Sequence, residues 1–181
     1  MAINNKYIFK SERLGFRTWQ QTDVELMAEI NSDPAVMEFF PEIPDRSQTL
    51  SFIENMRKQF ADKGFCYFAV DKLNSQKFIG FIGLSEKTFE ADFTPCVDIG
   101  WRLSSIEWNR GYATEGAREC LTYGFNELNI KKIYSIAPVI NLKSEGVMKK
   151  IGMKKVKEFK HPLLLDDKRL QDCVLYEIEN T

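Results

Sequence analysis

Apolar positions along the chain switch between a period of two and a period of three to four, and the switches divide it into predicted strands and helices. Leu14-Gly15-Phe16-Arg17-Thr18-Trp19 alternates and predicts a first strand. Thr22-Asp23 offers a cap to a helix carrying Val24, Leu26, Met27 and Ile30, and Pro41 and Pro44 end that helical region. Ser47 stands where a second helix would be capped; Leu50, Ile53, Met56 and Phe60 give it one apolar stripe, and Gly64 its stop. Residues 65–70 and 78–84 are β-rich runs separated by the turn-like Asn74-Ser75, which predicts a hairpin. A third run covers 97–103, after a polar loop containing Pro95, and 104–111 shows neither period.

A long helix follows at once, with Ala113, Ala117, Cys120, Leu121, Gly124, Phe125 and Leu128 on one face. A short strand at 132–137, a helix opened by Asn141 and closed by Gly152, and a last strand at 169–178 complete the order. No repeat, low-complexity tract or linker interrupts the alternation, so a single α/β domain over 1–181 is expected.

Composition adds exclusions. With 44% apolar and 28% charged residues the chain is ordinary for a globular protein. Its net charge of -1 supplies no global basic field for nucleic acid. No stretch approaches the ~18 apolar residues of a membrane span and the N-terminus lacks an apolar leader, so a cytoplasmic protein without a membrane partner is expected. Four scattered cysteines and one histidine, His161, make no metal-ligand set and no Cys-His pair for covalent catalysis. The cysteines read as buried or half-buried reduced thiols. A homodimer is compatible with the sequence, but no feature fixes its symmetry.

The most informative stretch is Trp108-Asn109-Arg110-Gly111-Tyr112-Ala113-Thr114-Glu115, which joins a predicted strand to the start of the long amphipathic helix. A helix N-terminus leaves backbone N–H groups unpaired and carries partial positive charge, so it favours an anion. Gly111 and Ala113 keep side chains out of the way, and Arg110 adds a cation suited to a phosphate oxygen. The octapeptide alone is equally consistent with an ordinary glycine turn.

Here the sequence resembles the GNAT superfamily of acetyltransferases, whose glycine-rich turn runs (Gln or Arg)-x-x-Gly-x-(Gly or Ala). Trp108-x-x-Gly111-x-Ala113 matches except at its first position, and Trp there resembles the branch of ribosomal-protein N-terminal acetyltransferases. Further matches run in family order from Leu14-Gly15-Phe16-Arg17 through Ile79-Gly80-Phe81-Ile82-Gly83-Leu84 and Val97-Asp98-Ile99-Gly100-Trp101-Arg102-Leu103 to Asn141-x-x-Ser144-x-x-Val147-Met148-x-Lys150-x-Gly152-Met153. The resemblance implies a mixed, mainly antiparallel twisted sheet, helices on both faces, and a central parallel strand pair splayed to hold acetyl-CoA. It implies that Trp101, Arg102 and Leu103 meet pantetheine through their backbone. Residues Trp108, Asn109, Arg110, Gly111, Tyr112, Ala113 and Thr114 would receive the diphosphate, and Asn141 would face the cofactor arm.

Acetyl transfer to an amine needs an uncharged nitrogen, a polarised thioester carbonyl and a proton for the departing thiolate. Asp98 is the first candidate for the base, because related enzymes often carry an acid on this strand; it also reads as a solvated charge or a partner of Arg102. Alternation sets Asp98, Gly100 and Arg102 on one face, with a bulge at Gly100 as a complication. Ser144 resembles the position where the family presents a hydroxyl to the thioester sulfur. His161, before Pro162, reads as a loop residue, and Phe39 and Phe40 are the best aromatic candidates for an acceptor pocket. The expected activity is direct transfer of acetyl to a primary amine in a ternary complex, the acceptor being a protein N-terminus or a small molecule. Its alternative is a catalytically silent acyl-CoA-binding regulatory module. A nucleotide-binding protein has no support, since neither phosphate-loop consensus is present.

Overall fold

The structure, a computed structural model, describes residues 6–180. One eight-stranded sheet organises it, in the order β1-β2-β3-β4-β5-β6-β8-β7. Strands β1 (Phe9–Lys10) and β2 (Leu14–Arg17) lead into α1 (Asp23–Asn31), the short α2 (Pro34–Met37) and α3 (Arg46–Lys63). The antiparallel meander β3 (Tyr67–Lys72), β4 (Phe78–Lys87) and β5 (Cys96–Leu103) follows, then α4 (Tyr112–Asn126), β6 (Lys132–Pro138) and α5 (Leu142–Lys150). Strands β7 (Lys154–Lys160) and β8 (Asp172–Glu179) end the chain. All neighbours are antiparallel except β5 and β6, whose parallel register is the single pair Asp98↔Tyr134.

The helices close the two faces of the sheet. Helix α4 buries Gly116, Ala117, Cys120, Leu121 and Gly124. A Cβ on Gly116 would stand 2.4 Å from Ile82 and one on Gly124 2.8 Å from Leu84, so two glycines let the helix lie close on β4. The opposite face carries Trp19, Phe52 and Phe81 in a tilted aromatic cluster beneath α1 and α3. Arg17 is buried there and fully paired, with Asp23 at 2.7 and 2.9 Å and Asp71 at 2.9 and 2.9 Å. Burial opposes its charge, and the two carboxylates more than offset that, so its pKa is raised.

Several local expectations change. Ser47 lies inside α3, because Asp45 is the cap: its carboxylate accepts from the Gln48 N–H while the Gln48 side chain accepts from the Asp45 N–H, a reciprocal capping box. Thr22 makes no side-chain cap, and Asp23 is taken by Arg17 and by the N–H of Gln20. The first helical region breaks already at Asp33-Pro34, where Asp33 caps α2. Gly100 does not bulge: β4 and β5 pair without a break through Gly83↔Gly100, and the register shifts fall at Val70/Asp71 and Lys155/Lys157. The last strand starts at Asp172, after a 3-10 turn. Strands β1 and β7 and helix α2 were not predicted. All four cysteines are buried free thiols, and no described helix is long and apolar enough to cross a membrane.

Candidate active site

Beyond Asp98↔Tyr134 the strands β5 and β6 part. Ser135 of β6 still donates to the Ile99 carbonyl at 3.0 Å, and the Leu103 carbonyl accepts from Trp108 Nε1 at 2.9 Å. Both carbonyls therefore point to the open edge of β5, and by alternation the backbone of Trp101 does the same. A cavity of about 410 Å³ occupies this opening. Its walls are Trp101, Arg102 and Leu103, the turn Trp108, Asn109, Gly111, Tyr112, Ala113 and Thr114, and Asn141, Ser144, Gly146 and Val147, together with Val36, Phe39 and Phe40. A larger open depression, about 650 Å³, lies away from these residues between Pro41 and 163–169.

The turn is shaped for an anion. Asn109 and Gly111 both take positive φ, 60° and 80°, and Gly111 is the helix cap without a capping side chain. The first backbone N–H of α4 with a partner is Glu115, bonded to the Gly111 carbonyl at 3.0 Å. Among the described residues no group accepts from the N–H of Tyr112, Ala113 or Thr114, so the helix presents three free donors and its positive dipole end. These donors and the open backbone edge of β5 fit a diphosphate and the pantetheine arm of coenzyme A.

The turn is held from a distance. Glu115 accepts from Ser11 Oγ at 2.6 Å, the Arg13 N–H at 2.8 Å and Arg13 Nε at 2.6 Å. Arg13 also donates to the Arg110 carbonyl at 3.1 Å and stacks on Tyr112 at 4.5 Å. Sequence reasoning missed this brace, since its halves stand 102 residues apart. Arg110 is not part of the cavity wall; its side chain is exposed, 3.7 Å from Glu107. The cations that line the cavity are Arg102, Lys143, which lies 4.6 Å over the Trp108 ring, and Lys150.

Asn141 caps α5 through Oδ1, which accepts from the Ser144 N–H at 3.1 Å. That bond fixes Ser144 at the cavity wall, with its hydroxyl unpartnered among the described residues. Asp98 is not on the cavity wall and is neither solvated nor paired with Arg102. It is 5% exposed, accepts from Tyr67 Oη at 2.5 Å and lies 3.9 Å from Lys87 Nζ. Burial pushes its pKa up to about 6, opposed by the Lys87 charge, the Tyr67 hydrogen bond and the Ile136 N–H. His161 is a loop residue, as its position suggested, with Nδ1 accepting from the Leu163 N–H. Phe40 packs on Arg102 at 4.0 Å, and its carbonyl and that of Glu38 accept from Arg169, a contact no local pattern announced.

The description "Acetyltransferase (GNAT) domain" fits residues 13–154 at the level of a whole-family profile. YnaD of Bacillus subtilis (strain 168), described as an uncharacterized N-acetyltransferase, is 31% identical over 151 residues, covering 83% of this chain and 84% of that protein. Among solved structures, a GNAT-family acetyltransferase from Bacillus anthracis shares the fold with a TM-score of 0.78 at 29% identity, over 94% of this chain and 96% of that one. A ribosomal-protein-S5-alanine acetyltransferase from Vibrio fischeri has the same fold, with a TM-score of 0.76 at 19% identity over 95% and 96% of the two chains. The chain thus belongs to the GNAT family of acetyltransferases, which use acetyl-CoA.

Proposed function

We propose that this N-acetyltransferase moves the acetyl group of acetyl-CoA directly to a primary amine, in one ternary complex. The observation that carries the reading is the cavity itself: three unpaired helix N–H groups at one end and the open edge of β5 in the middle. Bound acetyl-CoA supplies an activated thioester. Tyr112, Ala113 and Thr114 hold its diphosphate through their N–H groups, with Lys143 and Lys150 adding positive charge. Trp101 and its neighbours align the pantetheine arm as a further strand would be aligned.

Asp98 removes the acceptor's proton through water, because its carboxyl lies behind the cavity wall. A pKa near 6 leaves it ionised and still basic at neutral pH. Ser144 presents its hydroxyl to the sulfur as negative charge develops there. Burial raises the pKa of all four thiols, that of Cys96 to about 11, which supports transfer without an acyl-cysteine. The test is a panel of primary amines with acetyl-CoA, following free thiol. Amine-dependent release supports the reading; acetyl-CoA binding without release for any amine makes the chain a silent acyl-CoA-binding module.

A further inference from the structure

Arg17 is buried and Arg102 half-buried, and the two are partnered in very different ways. Arg17 has two carboxylates. Arg102 has none within 4 Å among the described residues. Its one hydrogen bond runs from Nη1 to the neutral Asn31 Oδ1 at 2.8 Å. Asn31 is itself fixed, donating to Thr49 Oγ1 at 3.1 Å, which donates on to the Asp45 carbonyl. Nε of Arg102 is sealed from water with no partner. Nη2 also makes no hydrogen bond but is not sealed, so it is the open donor of a side chain that lines the cavity.

An uncompensated, half-buried cation is costly, and a sealed donor without an acceptor adds to the cost. The protein nonetheless holds it rigidly: Phe40 covers one face at 4.0 Å, Phe81 lies 5.5 Å away, and Arg169 pins the Phe40 backbone. Burial pushes its pKa down only to about 10, so the charge persists at neutral pH. With Nε sealed, Nη2 is the donor that an oxygen of a carboxylate can reach, through a single charge-assisted hydrogen bond. Glu107, the carboxylate on the cavity wall, binds Lys72 through Oε1 at 2.7 Å and leaves Oε2 buried without a hydrogen bond.

We infer that Arg102 is the acceptor-specificity residue, and that the acceptor is a small amine carrying a carboxylate, which docks on the open Nη2 of the guanidinium beside Phe40. This rests on the transferase reading above. One positive charge matches a monoanion rather than a phosphate, and Glu107 is the single carboxylate on the wall, where a polyamine would call for several.

The experiment is a set of matched pairs, each an amino acid with its decarboxylated amine: leucine with isoamylamine, phenylalanine with phenethylamine, γ-aminobutyrate with propylamine. For each, kcat/KM is measured, and the N-acetylated products are titrated calorimetrically into the CoA-loaded protein, which reads recognition independently of turnover. At least one acid should be favoured by about 10- to 100-fold, the range of a charge-assisted hydrogen bond. Arg102→Met should bring that ratio to near one, and Arg102→Lys should keep part of it. The inference is overturned if no acid is favoured, or if a folded Arg102→Met protein keeps the preference. Equal loss for both members of every pair overturns it too, since that marks a role at the thioester carbonyl. If no amine is acetylated yet the acid products bind selectively, the transfer reading fails and the anion site stands.

Discussion

Tyr67 donates its phenolic proton to the Asp98 carboxylate across 2.5 Å, and Gly100 makes the approach possible, since a Cβ there would meet the Tyr67 hydroxyl at 3.0 Å. The same hydrogen bond works against burial and keeps the Asp98 pKa from rising further. Transfer should therefore fall as pH drops through about 6, the pKa of Asp98. Asp98→Asn should lower the rate by about 10²- to 10⁴-fold at neutral pH, with much of it regained in alkali as the amine deprotonates in solution. Tyr67→Phe removes a bond to the charged form, so the acid limb should move to higher pH. Rate profiles of the three proteins decide it; an unmoved limb in Tyr67→Phe separates Asp98 from the chemistry.

Asp98 also sets a stability trend. Its folded pKa, about 6, exceeds the ordinary 3.8, so the native state binds the proton more tightly than the unfolded state. The contribution is full below the lower value and is lost as pH rises through the higher one. Urea unfolding should show Asp98→Asn losing less stability than the parent between about pH 4 and 7, by up to about 3 kcal/mol. Parallel curves would place the titration elsewhere.

Gly111→Glu should abolish acetyl-CoA binding, because it sets an anion where three free N–H groups await one. Gly111 takes φ +80°, so any side chain there adds backbone strain of about 1–2 kcal/mol. Gly111→Ala carries the strain without the charge and should retain most affinity. Calorimetry on the two variants separates the effects.

Ser144→Ala should lower kcat by between a few-fold and about a hundredfold while leaving cofactor affinity nearly intact, since the hydroxyl matters when charge develops at sulfur. Its N–H, not its side chain, meets the Asn141 cap, so the helix end survives. Equal loss in binding and turnover would mark a structural serine.

Gly146 lies inside α5 on the cavity wall, and a Cβ there would meet nothing within 4 Å. Gly146→Ala should stabilise the unliganded protein by about 0.5–1 kcal/mol through backbone entropy alone. If the open space receives the cofactor, the extra methyl should also shrink the rise in melting temperature that acetyl-CoA produces. Thermal scans with and without ligand measure both.

Features set by short-range chemistry were legible in the sequence. The Asn141 cap, the Gly64 and Gly152 stops and the glycine turn each depend on a few adjacent residues, and the structure has them where the pattern put them. Strand β7 was hidden because Lys154-Lys155-Val156-Lys157-Glu158-Phe159-Lys160 is polar and exposed at the sheet edge and its register shifts. Arg13–Glu115, Tyr67–Asp98, Arg102–Asn31 and Arg169–Phe40 join distant segments, and no periodicity encodes such pairs. For the same reason Arg110 looked like the phosphate cation of the turn, although its side chain leans toward Glu107.

The lone rung between β5 and β6 makes the molecule mechanically a book with a narrow spine. One cover is the meander with α1 to α4; the other is β6, β8 and β7 with α5, and besides Asp98↔Tyr134 the spine has the Ser135–Ile99 stitch. A ligand lying in the opening touches both covers at once. An occupant of the slot would therefore add a brace across the opening to those already made by Arg118 on the Lys150 carbonyl, by Lys157 on Asp92 and by Arg169 on the Glu38 and Phe40 carbonyls.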